Sequence, residues 1–315
     1  MKKIVAAISV LIILVSLCSC NSGEKTVLTI GGAEIGEEIF VYYLSKVIER
    51  PMDYGLADAS DSDSVKAAAT QKCKEYVAVN TDFAAQGLSL SSAEKAEVAE
   101  QVNNLWVRFE NHYRSIGVSK QTLTKIMTSE ACEEALFTAR YDKGIQDKAA
   151  EKKLEDYFYS EYICFRTVCA YFTSGTDSKM TQQEINDTVN SFNALAKGFG
   201  KDVEAFSNAA TAAGYSLSDT ILIKKDADGY PAGFFEKVAA QPENTVEVLV
   251  YDECVFAVLK EDLAEKGESI YANYRSSCIK ELYSEEAEEL VAKAVEALTV
   301  EENGGRADRL VKKYS

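Results

Sequence analysis

Histidine is all but missing from this chain. The 315 residues hold one histidine, His112, with one tryptophan, three prolines and four methionines. A single histidine rules out sites built on paired imidazoles, the His-Glu-x-x-His zinc helix among them. Cys-x-x-Cys does not occur, which removes the zinc-ribbon and thioredoxin-type readings. There is no glycine-rich phosphate loop and no Gly-x-Ser-x-Gly nucleophile elbow. No metal and no cofactor is therefore expected. Basic residues are scarce as well, 34 Lys and Arg against 50 Asp and Glu. Nucleic acid rewards clustered positive charge, so the balance speaks against it as a partner. Electrostatic adhesion to anionic lipid is disfavoured for the same reason.

No apolar run reaches the about 20 residues of a spanning helix. The longest, Ile4 to Leu17, is broken only by Ser9 and Ser16 and follows Met1-Lys2-Lys3. Its length and positive flank predict a secretory signal peptide. It ends in Leu17-Cys18-Ser19-Cys20, which looks like a bacterial lipobox. The reading is a lipoprotein signal peptide over residues 1–19, diacylation of Cys20 and a polar tether over 20–25. Buried acyl chains would then hold the protein at the outer face of the cytoplasmic membrane. An ordinary signal peptide cleaved near Ser22, or an uncleaved anchor, is the alternative. Without the two lysines of residues 1–19, 32 basic residues face 50 acidic ones, a net charge of −18. Six cysteines remain beyond Cys20, namely Cys73, Cys132, Cys164, Cys169, Cys254 and Cys278. An even number outside the cell permits disulfides. Their dispersal through apolar patterns points instead to buried free thiols.

Residues 26–160 read as a short strand and turn followed by helices. Ile35, Ile39, Phe40, Tyr43, Leu44 and Val47 recur at helical spacing, and so do apolar residues over 64–85. Ser91 with Glu94 forms a capping box that opens a third helix, stopped at Gly117. A fourth runs from Ser119 to about Ala149 or Tyr159. At Tyr162 the pattern changes to aromatic and β-branched residues, a strand to Phe172. Thr181 with Glu184 is a second capping box, heading a helix to about Lys197. Helix 203–213, strand 216–225, short helix 233–240 and strands 246–250 and 254–260 follow. The order over 161–262 is β-α-α-β-α-β-β. Residues 263–302 return to helix and 303–315 read as a polar tail. A lone helix does not bury its own apolar stripe, so the last helix is expected to complete the first helical segment. The fold class is α+β, with a domain inserted into a helical one.

Several segments in the same order carry a resemblance. Thr26 to Ile35, a short strand ending in glycine before a helix, continues into Phe40-Val41-Tyr42-Tyr43-Leu44. Val203 to Ala210 and Pro231 to Ala240, with Phe234-Phe235, follow at matching places. Together they resemble the PrsA/SurA-type foldases, exported bacterial chaperones whose helical domain surrounds a parvulin-type prolyl isomerase domain. The resemblance implies a parvulin-like domain over 161–262, a helical chaperone-type domain around it, and unfolded or newly exported polypeptides as partners. It also implies a proline pocket lined by Phe234 and Phe235. The family's two strand histidines are replaced. The matching strands read Val168-Cys169-Ala170-Tyr171-Phe172 and Cys254-Val255-Phe256-Ala257-Val258. Its glycine-rich stretch gives way to Ala212-Ala213-Gly214-Tyr215. Cys169, Tyr171 and Cys254 are the cleft positions, against the simpler reading of buried strand thiols. The expectation is a membrane-anchored foldase or chaperone whose isomerase activity is weak or lost. An active isomerase with an altered site, and a non-catalytic assembly or solute-binding lipoprotein, are the alternatives.

Overall fold

A computed structural model describes residues 25–142, 148–173, 179–265 and 267–314. Strands β1 (Thr26–Ile30) and β2 (Ala33–Gly36) lead into helices α1 (Glu37–Glu49), α2 (Ser62–Ala85), α3 (Ser92–Ser115) and α4 (Lys120–Phe137). Then come α5 (Lys148–Glu161), β3 (Tyr162–Tyr171), α6 (Gln182–Lys197), α7 (Val203–Ala212), β4 (Ile221–Lys224) and α8 (Phe234–Ala240). Strands β5 (Thr245–Val250) and β6 (Cys254–Lys260), helix α9 (Gly267–Glu296), β7 (Val300–Glu302) and α10 (Arg306–Tyr314) complete the order. The chain is of the α+β class. It divides into two compact units, one holding the described residues up to 142 and from 283 onward, the other those from 148 to 282.

The first unit is helical around a three-stranded sheet of order β2-β1-β7. β1 and β2 form a hairpin turned by Gly31 and Gly32, at φ +56° and +85°. Both positions lie in the region that glycine enters without strain. A Cβ on Gly31 would also stand 2.6 Å from Leu298 Cδ2 and would displace the tip of that side chain. The Ser91 capping box forms as predicted, with Ser91 N donating to Glu94 Oε2 at 2.6 Å and Glu94 N to Ser91 Oγ at 3.2 Å. Phe40, Leu44, Val77, Leu123 and Ile126 build the core. The fourth helix is shorter than the sequence suggests. It ends at Phe137 in a π-turn, Thr138–Asp142, where Tyr141 stacks on Tyr283 with centroids 5.0 Å apart. The polar tail of 303–315 contains a helix, α10, with Ala307, Leu310 and Val311 buried against α1, α2 and β1. Tyr314 Oη donates to Ile116 O at 2.9 Å and Arg306 Nη1 to Thr26 O at 2.7 Å.

The second unit is a four-stranded antiparallel sheet of order β4-β3-β6-β5 with helices on both faces. One face is covered by Phe192 and Leu195 of α6 and Phe206 and Ala210 of α7, packed on Val168, Val255, Ala257 and Leu259. The other is covered by Phe234 and Val238 of α8, packed on Ile163, Phe165, Phe256 and Val258. β4 is shorter than the expected 216–225. Ser218 Oγ accepts from Thr167 N at 3.0 Å, so a side chain takes the place of a ladder carbonyl there. The two units share α9. Its stretch up to Leu282 belongs to the second unit, where Glu151 of α5 grips Arg275 at 2.8 and 2.9 Å and accepts from Tyr271 Oη at 2.7 Å.

Candidate functional site

Alternation decides what the sheet offers. In β3 the odd-numbered residues turn toward α8, and in β6 the even-numbered ones do. The register pairs Tyr171 with Cys254 and Cys169 with Phe256. Cys169, Tyr171 and Cys254 therefore stand on one face, the face on which Phe234 and Phe235 also pack. Three segments far apart in sequence are thus brought to one patch. Their environments differ. Phe234 is buried, in edge-to-face contact with Phe165 at 5.3 Å and Phe256 at 5.2 Å. It is the floor of the patch. Phe235 is half-buried beside it, and Tyr171 stands 64% exposed at the strand's end.

Two tyrosines not singled out in the sequence belong to the same cluster. Tyr230 stacks on Phe234 with centroids 4.6 Å apart and meets Phe165 edge-on at 5.8 Å. Tyr251 meets Phe256 at 6.1 Å, with Lys237 Nζ 4.4 Å above its ring. The Tyr251 hydroxyl is buried and makes no hydrogen bond among the described residues. Tyr230 lies outside the helix that carries Phe234, before Pro231 and the left-handed Gly233, so no helical spacing links the two in the sequence. Nothing in the sequence announced the second, which lies in a tight turn.

The electrostatics favour neutral groups throughout. Burial pushes the Cys169 thiol up to about 11, with the neighbouring Cys254 adding to the shift. Burial, and then Glu253, raises Cys254. Burial also raises Tyr230 and Tyr251 above the ordinary phenol value. At neutral pH the patch thus offers no thiolate nucleophile. All six described cysteines are free thiols. His112 is in the helical unit, its Nε2 3.2 Å from Glu49 Oε1. Among the described residues no group of three or more His, Cys, Asp or Glu is placed to hold a metal ion. Cys20 lies outside the described residues.

The helical unit has an open hollow of about 510 Å³ lined by Glu38, Trp106, Arg114, Val118, Ser119 and Lys120. The Arg114 guanidinium sits 5.6 Å over the Trp106 ring, which stacks on Tyr113 at 6.0 Å. Glu38 is held down by Ser119, whose N donates to its Oε2 at 2.8 Å.

No family model matches this sequence, and no curated protein does. Among solved structures the chain is similar to the foldase protein PrsA from Lactococcus lactis. The identity is 12%, over 92% of this chain and 99% of that one, with a TM-score of 0.40. PrsA from Streptococcus pneumoniae matches at 13% identity over 84% of this chain and 91% of that one, TM-score 0.36. PrsA from Bacillus subtilis matches at 12% identity over 93% and 94%, TM-score 0.24. Likeness at this level leaves the functional reading to the residues themselves.

Proposed function

We propose that this protein is a foldase of the chaperone kind that binds unfolded or newly exported polypeptides outside the cytoplasm. A lipid on Cys20 holds it at the outer face of the membrane, and its prolyl isomerase activity is weak or lost. Residues 161–262 act as a parvulin-like binding module. The observation that carries the reading is the patch around Tyr171. It combines an exposed ring with a bed of Tyr230, Phe234 and Phe235, and it holds neutral thiols where the resembled family keeps histidines.

An isomerase must lower a barrier of about 18–20 kcal/mol by gripping a twisted amide. Apolar contact alone binds a proline-containing segment equally well before and during the twist, and uniform binding of that kind does not accelerate the step. Contact of this sort does tolerate varied client sequences, because it is non-directional. The negative charge of the chain keeps a client complex soluble.

The test uses the mature chain in two assays side by side. A protease-coupled isomerase assay on a proline peptide is expected to show little or no acceleration. Suppression of aggregation of an unfolded client is expected to be clear, and weakened by Tyr171→Ala. Loss of one anchoring aromatic costs about 1–2 kcal/mol, a roughly five- to thirtyfold loss of affinity. A catalytic efficiency like that of ordinary parvulins would overturn the reading and make Cys169, Tyr171 and Cys254 catalytic candidates.

A further inference from the structure

β5 is the last strand of its sheet. Its inner side is fixed by the hydrogen bond from Tyr251 N to Cys254 O at 2.9 Å and by the register Leu249 with Phe256 and Glu247 with Val258. In an antiparallel ladder, main-chain groups alternate between the two sides. Those of Glu247 and Leu249 point to β6, so those of Val246, Val248 and Val250 point away from the sheet. Among the described residues no strand pairs with that outer side.

Exposed edges are normally blunted by charged side chains, lysine above all, by a proline, by a bulge or by shortness. β5 has no lysine, proline or bulge within Thr245–Val250, which reads Thr-Val-Glu-Val-Leu-Val, and Glu247 is its one charge. The opposite edge differs. β4 is four residues long and ends at Lys224, which is engaged with Glu281 at 2.9 Å. One edge is guarded and the other is open.

We infer that the outer edge of β5 takes up an extended client segment as an added antiparallel strand, preferring segments in which apolar and basic residues alternate. The inference rests on the chaperone reading above and gives it a mode of binding. The side chains specify the preference. Val246 and Val248 lie on the apolar face that packs against α6, whereas Glu247 is exposed on the other face. Glu243, Asp252 and Glu253 are exposed at the two ends of the strand. Directly opposed cross-strand residues share a face, so the client residue opposite Val248 is apolar and the one opposite Glu247 is basic. A second copy of the chain is a poor occupant. It would bring Glu247, and the mature chain's net charge of −18, against the same charges.

The geometry makes one prediction that side-chain affinity alone does not. In a peptide of alternating valine and lysine, the valines oppose Val248, so the valine amides are the ones that bond to the edge. N-methylation of the valine amides is expected to abolish binding to the full mature chain, measured by fluorescence anisotropy. N-methylation of the lysine amides is expected to leave it unchanged. A valine–glutamate peptide should bind more weakly. Val250→Pro removes one outward donor without touching a ladder bond, as proline at an edge can. It is expected to weaken binding roughly fivefold relative to Val250→Ala, the worth of about one hydrogen bond. Equal binding of both methylated peptides overturns the edge inference. So does a dimer in sedimentation that Val250→Pro dissociates, because the edge is then occupied by the chain itself. If suppression of aggregation persists while the methylated peptides bind alike, only the edge falls. If the chain neither binds the peptide nor suppresses aggregation, the chaperone reading falls with it.

Discussion

Leu310→Ala measures whether the last residues of the chain are a tail or a structural element. Leu310 is 7% exposed and packs with Ala307 and Val311 into the core of the helical unit. Truncating a buried leucine costs about 2–5 kcal/mol, the transfer term plus the cavity left behind. α10 is a nine-residue helix and can shift to close part of that cavity, which places the expected cost at about 2–3 kcal/mol. With a guanidinium slope of roughly 3–5 kcal/mol/M, the midpoint falls by about 0.5–1 M. The assay is unusually clean because the chain has one tryptophan. Trp106 lies in α3, in the same unit as α10, and its stacking on Tyr113 is lost on unfolding. Its fluorescence therefore reports that unit. Lys312→Ala, on the exposed side of the same helix, should stay within about 0.5 kcal/mol of the parent. If Leu310→Ala and Lys312→Ala have the same midpoint, the helix contributes nothing and the reasoning fails.

Two further outcomes are expected. Cys20→Ala should release the protein from the membrane fraction of cells, and unchanged detergent partitioning would refute the lipid anchor. Glu151→Gln should destabilise the second unit by about 1–2 kcal/mol near pH 7, because it ends the paired contact with Arg275 at a half-exposed site. Hydrogen bonds from Arg275, followed by that from Tyr271, hold the Glu151 carboxyl below its ordinary value of 4.5. A depressed native value means the stabilisation is complete above 4.5 and is lost as pH falls below it toward the folded value. Urea unfolding of parent and variant should therefore converge in acid, and a gap that stays constant below pH 4.5 would refute the assignment.

Local chemistry was the legible part of the fold. The capping residues Ser91 and Thr181 with their glutamates, Gly117 after α3, and the aromatic and β-branched run of β3 each carry their own physical cause, and each formed where expected. What stayed hidden depended on distant partners. Val300–Glu302 is exposed and acidic and becomes a strand only because β1 lies beside it. The tail reads as polar by composition, yet Ala307, Leu310, Val311 and Tyr314 recur at i, i+3, i+4 and i+7, a helical face that was open to inspection. The candidate patch divides similarly. Alternation along β3 puts Cys169 and Tyr171 on one face, but adding Cys254 requires the β3–β6 register, which no local pattern encodes. Tyr251 was beyond reach because its place depends on Phe256 and Lys237 closing around a turn.

The pairing of β1 with β7 also sets a clock. Thr29 and Asn303, whose side chains meet at 3.4 Å, are 274 residues apart. Closing a loop of that length costs about 5 kcal/mol in chain entropy beyond a constant. In a chain delivered from its N-terminus, the last strand emerges only after everything that lies between it and the first. The sheet of the second unit has all its strands by Lys260 and can assemble in that interval. The β1–β2 hairpin meanwhile holds one unpaired side, and it stays open to wrong partners until Val300–Glu302 arrives to occupy it. Until then the helical unit is itself an unfinished sheet with an open strand edge.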